Sequence, residues 1–342
     1  MTDQQPSPQP MPTPPPGYVY QPVRQKAPTL PVVPTPYHAF WRAPGLAWWR
    51  PLVGLLVAVA ITVVGLIVSV MVWIVLDLSL GIDPFTDDLM AGQLGDATPG
   101  LFLSNNVILA ALIPAVMIAG LIVGQKIGYL HSVQGRMRWG WMGTCLLIAV
   151  VPLGLVIGGT YLFSWSELGL QQRPETWMLL VGILLTTPLQ AAGEEYAMRG
   201  LLPRVFGAWI SHRGVSLVVG VLVSSVIFML VHGAADPWLN LLYFSIAVIF
   251  SYLTWRTGGL EAAIALHIVN NLLSLLPVPW MGLEGIFDRS AGVAGPEVLF
   301  NLAAMIAAAA VIDRMARRRG LPRETAPGTP QPAIPAQHAG TA

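Results

Sequence analysis

The stretch that decides the fold is residues 177–199, which read Trp177-Met-Leu-Leu-Val-Gly-Ile-Leu-Leu-Thr-Thr-Pro-Leu-Gln-Ala-Ala-Gly-Glu-Glu-Tyr-Ala-Met-Arg199. Its first part is an apolar run of the kind that a lipid bilayer buries. The run ends in two adjacent carboxylates, Glu194 and Glu195, and Arg199 follows four residues after the second. Intramembrane acids are rare and usually face a partner or a water-filled cavity, because an ionised carboxylate is costly in hydrocarbon. The stretch therefore predicts a polar site inside a membrane helix bundle.

The composition agrees with a membrane protein. Of the 342 residues, 54% are hydrophobic and 10% are charged, and the mean hydropathy is +0.64. Soluble domains carry roughly 25% charged residues. The net charge of +1 gives no sign of a nucleic-acid partner, and none is expected. The single cysteine, Cys145, excludes a disulfide within the chain and argues against a cysteine-ligated metal site. We expect an all-α, polytopic membrane bundle.

Eight segments are apolar enough to cross a bilayer core of about 30 Å. They cover about 52–76, 102–124, 141–163, 177–197, 215–232, 238–255, 259–277 and 296–314. The middle four are shorter and carry polar residues, as expected of helices that line an interior. We expect residues 1–50 to be a disordered, proline-rich tail, residues 51–319 to be the membrane domain, and residues 320–342 to be a second disordered tail.

The basic residues predict the orientation, because Lys and Arg favour cytosolic loops. With a cytosolic N-terminus, 16 of the 18 Lys and Arg residues lie on the cytosolic side, and only Arg173 and Arg289 lie outside. The loop that contains Asp83, Asp87 and Asp88 carries only acidic charges and falls outside. We therefore expect an integral protein of a bacterial-type cell membrane with both termini in the cytosol.

Three pairs of side chains at a spacing of four residues mark the middle helices. They are Glu195 with Arg199, Phe228 with His232, and His267 with Asn271, and each pair shares one helix face.

These spacings suggest distinct roles. Arg199 pairs with Glu195 and keeps it ionised, while Glu194 points about 100° away around the helix. An unpaired, partly desolvated glutamate suits a general base, and His232 can share the attacking water or carry its proton. His267 and Asn271 offer donors to an oxyanion. The set fits water addition to an amide or ester.

Polar residues of membrane helices can also serve only to hold helices together, at about 1 kcal/mol each. For any one of these residues, this structural role is about as good an explanation as a functional one. A structural role alone is a poor explanation for all of these residues together, in this order on three helices. The neighbouring Gln190, Asn270, Thr186, Thr187 and Ser274 are interpreted as structural.

The three motifs resemble those of the CPBP family of intramembrane proteases, which includes CAAX proteases and bacteriocin-processing enzymes and is also called the Abi family. The similarity covers roughly residues 177–277, and the stretch from Arg256 to Asn271 looks especially like the family's third motif. The resemblance implies an eight-helix membrane fold with a buried site that opens toward the cytosol.

The same resemblance implies residue roles and a substrate class. Glu194 would activate water with help from His232. His267 and Asn271 would stabilise the oxyanion, and Glu195 and Arg199 would form an orienting pair. The expected partner is a membrane-associated protein or peptide substrate in the lipid bilayer. The expected activity is that of an intramembrane endopeptidase that hydrolyses peptide bonds of membrane-associated or lipidated chains.

Three alternatives remain open from the sequence. Glu194, His232 and His267 could bind zinc in a metalloprotease version of the same enzyme, although neither histidine lies in a His-Glu-x-x-His motif, and no cofactor is our preferred expectation. A non-catalytic immunity protein could bind a peptide in the same cavity. A proton-coupled transporter could use acid and histidine pairs as a relay, but no internal repeat is visible.

The depths of the predicted residues do not match at first sight. If the fourth span starts at Trp177, Glu194 lies near its cytosolic end. His232 then lies near the opposite end of the next helix, and His267 lies around mid-depth. A tilted helix, a loop that dips into the membrane after His232, or a later start of the fourth span would bring them together.

Overall fold

The computed structural model describes residues 27–85 and 97–329. Over these residues the chain is mainly helical, and eight helices are long and apolar enough to span a membrane. We name them α1 to α8. They are α1 Arg50–Ser79, α2 Pro99–Val123, α3 Trp139–Phe163, α4 Thr176–Trp209, α5 Arg213–Val231, α6 Pro237–Thr257, α7 Glu261–Met281 and α8 Val298–Arg318. The predicted all-α bundle of eight spans is confirmed.

Several of these helices contain local breaks, and short elements join them. The helix α2 consists of Pro99–Ala110 and Leu112–Val123, and α7 consists of Glu261–Leu275 and Val278–Met281. One helical turn at Gly128–His131 connects α2 to α3. A 3-10 turn at Trp165–Glu167 follows α3.

The central helix of the bundle is α7. It packs against α3, α4 and α6, while α4 also packs against α2. Small side chains allow this close approach: Ala262, Ala263 and Ala265 of α7 are fully buried. The two middle helices that carry the predicted site, α4 and α7, are therefore in direct contact.

The fourth span is longer than the sequence indicates. The prediction ended it near residue 197, but α4 continues to Trp209 as one α-helical part, Thr176–Glu195, a π-helical part, Tyr196–Leu201, and a second α-helical part, Leu202–Trp209. Its 34 residues reach about 50 Å at 1.5 Å per residue. Glu194 consequently lies near the middle of the helix and not near its end.

Pro203 gives a physical reason for the π-helical part. A proline inside a helix has no N–H to donate, and its ring clashes with the carbonyl four residues earlier, here that of Arg199. The turn before Pro203 therefore loses a hydrogen bond of the regular α-helical ladder. A π-helical turn absorbs the mismatch, and such turns are frequent at functional sites.

The two tails were predicted to be disordered, and this is wrong for part of each. Thr35–Pro36 forms an antiparallel strand pair with Glu324–Thr325, and Tyr37–Ala39 forms a 3-10 turn. Phe40 and Trp41 are buried. We call residues Thr35–Trp41 the N-terminal segment. The apolar side chains that follow the proline-rich stretch explain its order, because they are buried against the bundle. Residues 1–26 and 330–342 of the predicted tails lie outside the described residues.

Contacts to helix ends hold this segment in place. Tyr37 donates its hydroxyl hydrogen to the carbonyl of Leu130. Arg42, directly after the segment, donates to the carbonyls of Gly207 and Ser211 at the end of α4. Both described chain ends therefore lie at the same end of the bundle. The cytosolic orientation of that end stays a prediction.

His38 makes the anchoring of the segment sensitive to acid. Burial, together with the nearby guanidinium groups of Arg42, Arg204 and Arg213, lowers the pKa of His38 from 6.5 to about 4. Because the pKa is lower in the folded state, the unfolded state binds the proton first. Stability is therefore lost as the pH falls from 6.5 toward 4.

At pH 5 the expected loss from His38 is about 2 kcal/mol. The measurement is the free energy of unfolding at pH 7 and pH 5 for the wild type and for His38→Phe. The variant should lose less stability on acidification than the wild type. An equal loss in both proteins would contradict this prediction.

Candidate active site

The buried carboxylate of Glu195 is the centre of the site. Its Oε1 atom accepts hydrogen bonds from Arg199 Nη1 at 3.0 Å and from His267 Nδ1 at 2.8 Å. The Arg199 guanidinium lies over the rings of Phe228 and Phe250, at 4.6 and 5.3 Å from the ring centroids. These cation–π contacts add to the ion pair, and both partners are shielded from bulk solvent. The predicted Glu195–Arg199 pair is present.

Glu194 has a different environment. Its Oε1 atom accepts a hydrogen bond from Gln190 Nε2 at 2.7 Å, and its Oε2 atom lies 3.6 Å from His267 Nε2. This second oxygen is buried, and no described residue forms a hydrogen bond with it. Glu194 thus keeps one carboxylate oxygen free for a small molecule, while the other is fixed by the protein.

His267 lies between the two carboxylates. A carboxylate such as Glu195 only accepts hydrogen bonds, so Nδ1 of His267 carries a hydrogen. In the neutral imidazole, Nε2 then has a lone pair and faces Glu194 Oε2, which is also an acceptor. A proton between Nε2 and Oε2 would remove the repulsion of these two acceptors. The arrangement is therefore suited to accept one proton.

A chain of amide side chains continues from Glu194 toward α8. Gln190 accepts a hydrogen bond from Asn271 Nδ2 at 3.1 Å, Asn271 accepts one from Asn270 at 3.0 Å, and Asn270 accepts one from Asn301 at 3.2 Å. The predicted donor Asn271 is therefore engaged with Gln190, which leaves the second hydrogen of its amide group.

Gln190 and Asn270 were interpreted as structural from the sequence, and Asn301 was not singled out. Gln190 lies four residues before Glu194, the spacing that links Glu195 to Arg199. That spacing was the signal that could have identified it as a partner of the acid pair.

His232 lies beside this network. Its Nδ1 atom is 2.6 Å from the carbonyl oxygen of Phe228, and its ring stacks on Tyr243 at 4.0 Å. The carbonyl requires a hydrogen on Nδ1, which leaves Nε2 as an acceptor. Among the described residues, no hydrogen bond joins His232 to Glu194 or His267. The ring of Phe228 lies between the two histidines, at 4.6 Å from His232 and 6.2 Å from His267.

The long α4 helix explains how the predicted residues come together. Because α4 continues to Trp209, Glu194 is at mid-helix and reaches His267 of α7. The structure joins Glu194, Glu195, Arg199 and His267 directly and connects Asn271 through Gln190. His232 is at the C-terminal end of α5 and approaches the group through Phe228.

The sequence left open a zinc site formed by Glu194, His232 and His267. Within residues 27–85 and 97–329, no three His, Cys, Asp or Glu side chains form a group that could hold a metal ion. Nδ1 of His267 donates to Glu195 and Nδ1 of His232 donates to a backbone carbonyl, which leaves Nε2 of each histidine with a lone pair.

The buried pair gives a stability prediction. In Arg199→Met, Glu195 keeps a buried charge without its guanidinium partner, so we expect a loss of about 3–5 kcal/mol in the free energy of unfolding. The double variant Glu195→Gln, Arg199→Met should recover part of that loss. The measurement is denaturant unfolding in detergent micelles.

The matched control is Arg213→Met. Arg213 pairs with Glu324 at 3.5 Å on the surface, where both side chains are more than 40% exposed. Such surface pairs contribute about 0–1 kcal/mol. Similar losses for Arg199→Met and Arg213→Met would contradict the importance given to the buried pair.

Comparisons with known proteins point to the same helices. Residues 176–273 match the family model of type II CAAX prenyl endopeptidase Rce1-like proteins, a range that contains all six predicted site residues. A similar protein is the uncharacterized protein YyaK of Bacillus subtilis (strain 168), which is 25% identical over 233 residues, 64% of this chain and 76% of the relative. No solved structure matches the chain. The resemblance seen in the motifs is confirmed: residues 176–273 are similar to the Rce1-like type II CAAX prenyl endopeptidases.

Proposed function

We propose that this protein is an intramembrane endopeptidase that hydrolyses a peptide bond in a membrane-associated or lipidated substrate. The observation that carries the proposal is the free, buried Oε2 atom of Glu194, next to a histidine that the Glu195–Arg199 pair holds in place. A buried acceptor of this kind is suited to bind a water molecule and take its proton. The match to an endopeptidase family over the same residues supports the proposal.

The proposed reaction begins with a water molecule bound to Glu194 Oε2. As the water oxygen attacks the peptide carbonyl carbon, its proton moves to Glu194 and is shared with Nε2 of His267 across the 3.6 Å gap. The resulting imidazolium is stabilised by Glu195, which accepts the hydrogen bond from Nδ1. The same proton then moves to the leaving amine as the carbon–nitrogen bond breaks. No covalent intermediate with the protein is formed.

The amide groups and His232 assist this step in the proposal. Gln190 fixes the other oxygen of Glu194 and so directs Oε2 toward the water. Asn271 offers its second amide hydrogen to the oxyanion that forms on the carbonyl. His232 presents Nε2 as an acceptor for the water or for a proton of the substrate.

The decisive variant is Glu194→Gln, which keeps the size of the side chain and removes its basicity. We expect kcat to fall about 100-fold or more, because general bases contribute about 10²–10⁴ to a rate. The measurement uses purified protein in liposomes with two fluorescent reporter peptides of one sequence, one carrying a prenyl group near its C-terminus and one without it.

The control variant is Glu167→Gln, the same chemical change at an exposed position of the 3-10 turn after α3, and it should cleave like the wild type. Undiminished cleavage by Glu194→Gln would disprove the assignment of the base. A wild type that binds the reporters and cleaves neither would instead favour the peptide-binding immunity protein. Proton-driven uptake into the liposomes without cleavage would favour a transporter.

Chelation tests the choice between the glutamate and zinc versions of the enzyme. We expect the purified protein to keep its cleavage rate after treatment with a strong chelator, because the proposed base needs no metal. Metal analysis of the same samples accompanies the rate. A stoichiometric zinc content that is lost together with activity, and regained with added zinc, would contradict the metal-free mechanism.

A further inference from the structure

The two ends of the helix bundle differ in how they cover the acid pair. One end carries the α5–α6 turn (232–236) and the α7–α8 loop (282–297), and we call it the loop end. The start of α4 and the end of α7 also lie there, because Thr176 donates a hydrogen bond to the carbonyl of Pro279 at 2.9 Å. The other end carries the N-terminal segment and the end of α4, and we call it the tail end.

The tail end is closed by buried side chains. On α7 every residue from Glu261 to His267 is buried, and on α4 the residues Tyr196, Arg199 and Arg204 are buried as well. A cavity between Tyr37 and Arg199 has a volume of about 20 Å³, which is room for about one water molecule. On this side the described residues therefore leave no passage that a peptide could use.

A second buried ion pair fastens the tail end. Glu261, the first residue of α7, accepts hydrogen bonds from Arg138 Nε at 2.8 Å and from Arg138 Nη2 at 2.6 Å. Leu260, which precedes it, donates its N–H to the carbonyl of His131 at 2.9 Å. Separating a buried ion pair is costly, so the start of α7 does not swing away to admit a substrate.

At the loop end, polar side chains of the site become accessible. Asn270 and Asn271 of α7, Tyr243 of α6 and His232 after α5 are all partly exposed. Because α7 is the central helix and packs against α3, α4 and α6, exposure of its side chains marks a gap between helices. Polar groups inside a membrane protein face a partner or a water-filled cavity. The gap at the loop end is therefore suited to hold water.

The hydrogen bonds of the site run from the acids toward the same end. Glu194 binds Gln190, one turn closer to the start of α4, and Gln190 binds Asn271, one turn beyond His267 on α7. The row of amides ends at Asn301, near the start of α8. A continuous polar path thus connects Glu194 with the loop end.

The rim of the loop end is held in place by backbone contacts. Oδ2 of Asp236 accepts a hydrogen bond from the N–H of Gly292 at 2.8 Å. The N–H of Ala235 donates to the carbonyl of Arg289, also at 2.8 Å. The α5–α6 turn and the α7–α8 loop therefore form one connected rim directly after His232.

We propose that the loop end is the entrance of the site, through which water and the substrate peptide reach Glu194. The resemblance in the motifs implied a site that opens toward the cytosol. With both termini in the cytosol, as the basic residues predict, the loop end faces the outside of the cell. The substrate is then a membrane-associated peptide whose scissile bond lies on the outer side of the membrane.

The entrance stands on the burial of the two ends and on the polar path. The substrate class rests in addition on the function proposed above and on the predicted orientation.

Thiol labelling tests the entrance without any need for cleavage. The chain has one cysteine, Cys145, which is buried, and Cys145→Ala gives a cysteine-free background. In this background Tyr243→Cys and Ser251→Cys place thiols about two turns apart on α6. Tyr243 is partly exposed toward the loop end, whereas Ser251 is buried toward the tail end.

Two exposed serines provide matched references for the two sides. They are Ser290→Cys in the α7–α8 loop and Ser211→Cys between α4 and α5. The probe is a charged, membrane-impermeant methanethiosulfonate, applied to intact cells and to inverted membrane vesicles.

We expect Tyr243→Cys to react from the same side as Ser290→Cys, and Ser251→Cys to stay unlabelled from both sides. The proposal would be overturned if Tyr243→Cys reacted from neither side or only from the Ser211 side, or if Ser251→Cys reacted from the Ser211 side. If Tyr243→Cys does not fold, Asn301→Cys, partly exposed on α8, replaces it with the same outcomes.

The same samples test the side of the substrate. Intact cells should label Ser290→Cys and leave Ser211→Cys unlabelled, and the reverse pattern would overturn an outer-side substrate.

Cleavage of the reporter peptide tests the route of the substrate. Modification of Tyr243→Cys by the reagent should abolish cleavage, whereas modification of Ser211→Cys should leave it unchanged. An unchanged rate in fully modified Tyr243→Cys would overturn the route through the loop end. A protein that labels as expected and cleaves no reporter would contradict the proposed function and not the entrance.

Discussion

The bifurcated contact at Glu195 Oε1 is the interaction on which the rest of the site depends. One oxygen accepts from Arg199 of the same helix and from His267 of α7, and the guanidinium lies over aromatic rings from α5 and α6. A buried charge must be paired, since removing one partner of such a pair costs several kcal/mol. The need to pair the buried charge of Glu195 therefore holds four helices in one arrangement. It also fixes the orientation of His267.

This arrangement gives the two adjacent glutamates unequal environments. Through its Oε1 atom Glu195 binds Arg199 and His267, whereas Glu194 is fixed by Gln190 and its Oε2 atom faces Nε2 of His267. The Oε2 atoms of both glutamates have no hydrogen-bond partner among the described residues. The consecutive positions make this possible because neighbouring residues of a helix point about 100° apart. The π-helical turn that begins at Tyr196 follows directly. The acid pair thus lies at the point where the helix changes its geometry.

The sequence allowed much of the fold to be predicted, because hydropathy and spans depend on local composition. The eight helices and the Glu195–Arg199 pair, which needs only a spacing of four, are as predicted. The extension of α4 to Trp209 was missed because Arg199, Pro203 and Arg204 interrupt the apolar pattern of the sequence. Hydropathy also carries no information on which tail residues pack against loops, as Tyr37 and Phe40 do.

Within the site, partners on the same helix were easier to predict than partners on different helices. The contact of His267 with both acids and the link from Gln190 to Asn271 depend on how α4 and α7 pack, which no local pattern encodes. The expectation that His267 and Asn271 share one role also came from their spacing. In the structure His267 contacts the carboxylates and Asn271 contacts an amide, so their shared helix face leads to two different partners.

The central claim is that the buried acids perform hydrolysis and do not merely hold helices together. The most direct measurement is a comparison of the peptide C-termini in membranes from cells that express the wild type and cells that express an equal amount of Glu194→Gln. The account predicts new C-terminal ends on membrane-associated proteins, with the matching released peptides, only with the wild type. Identical sets of C-termini in the two membranes, or the same new ends in both, would contradict it.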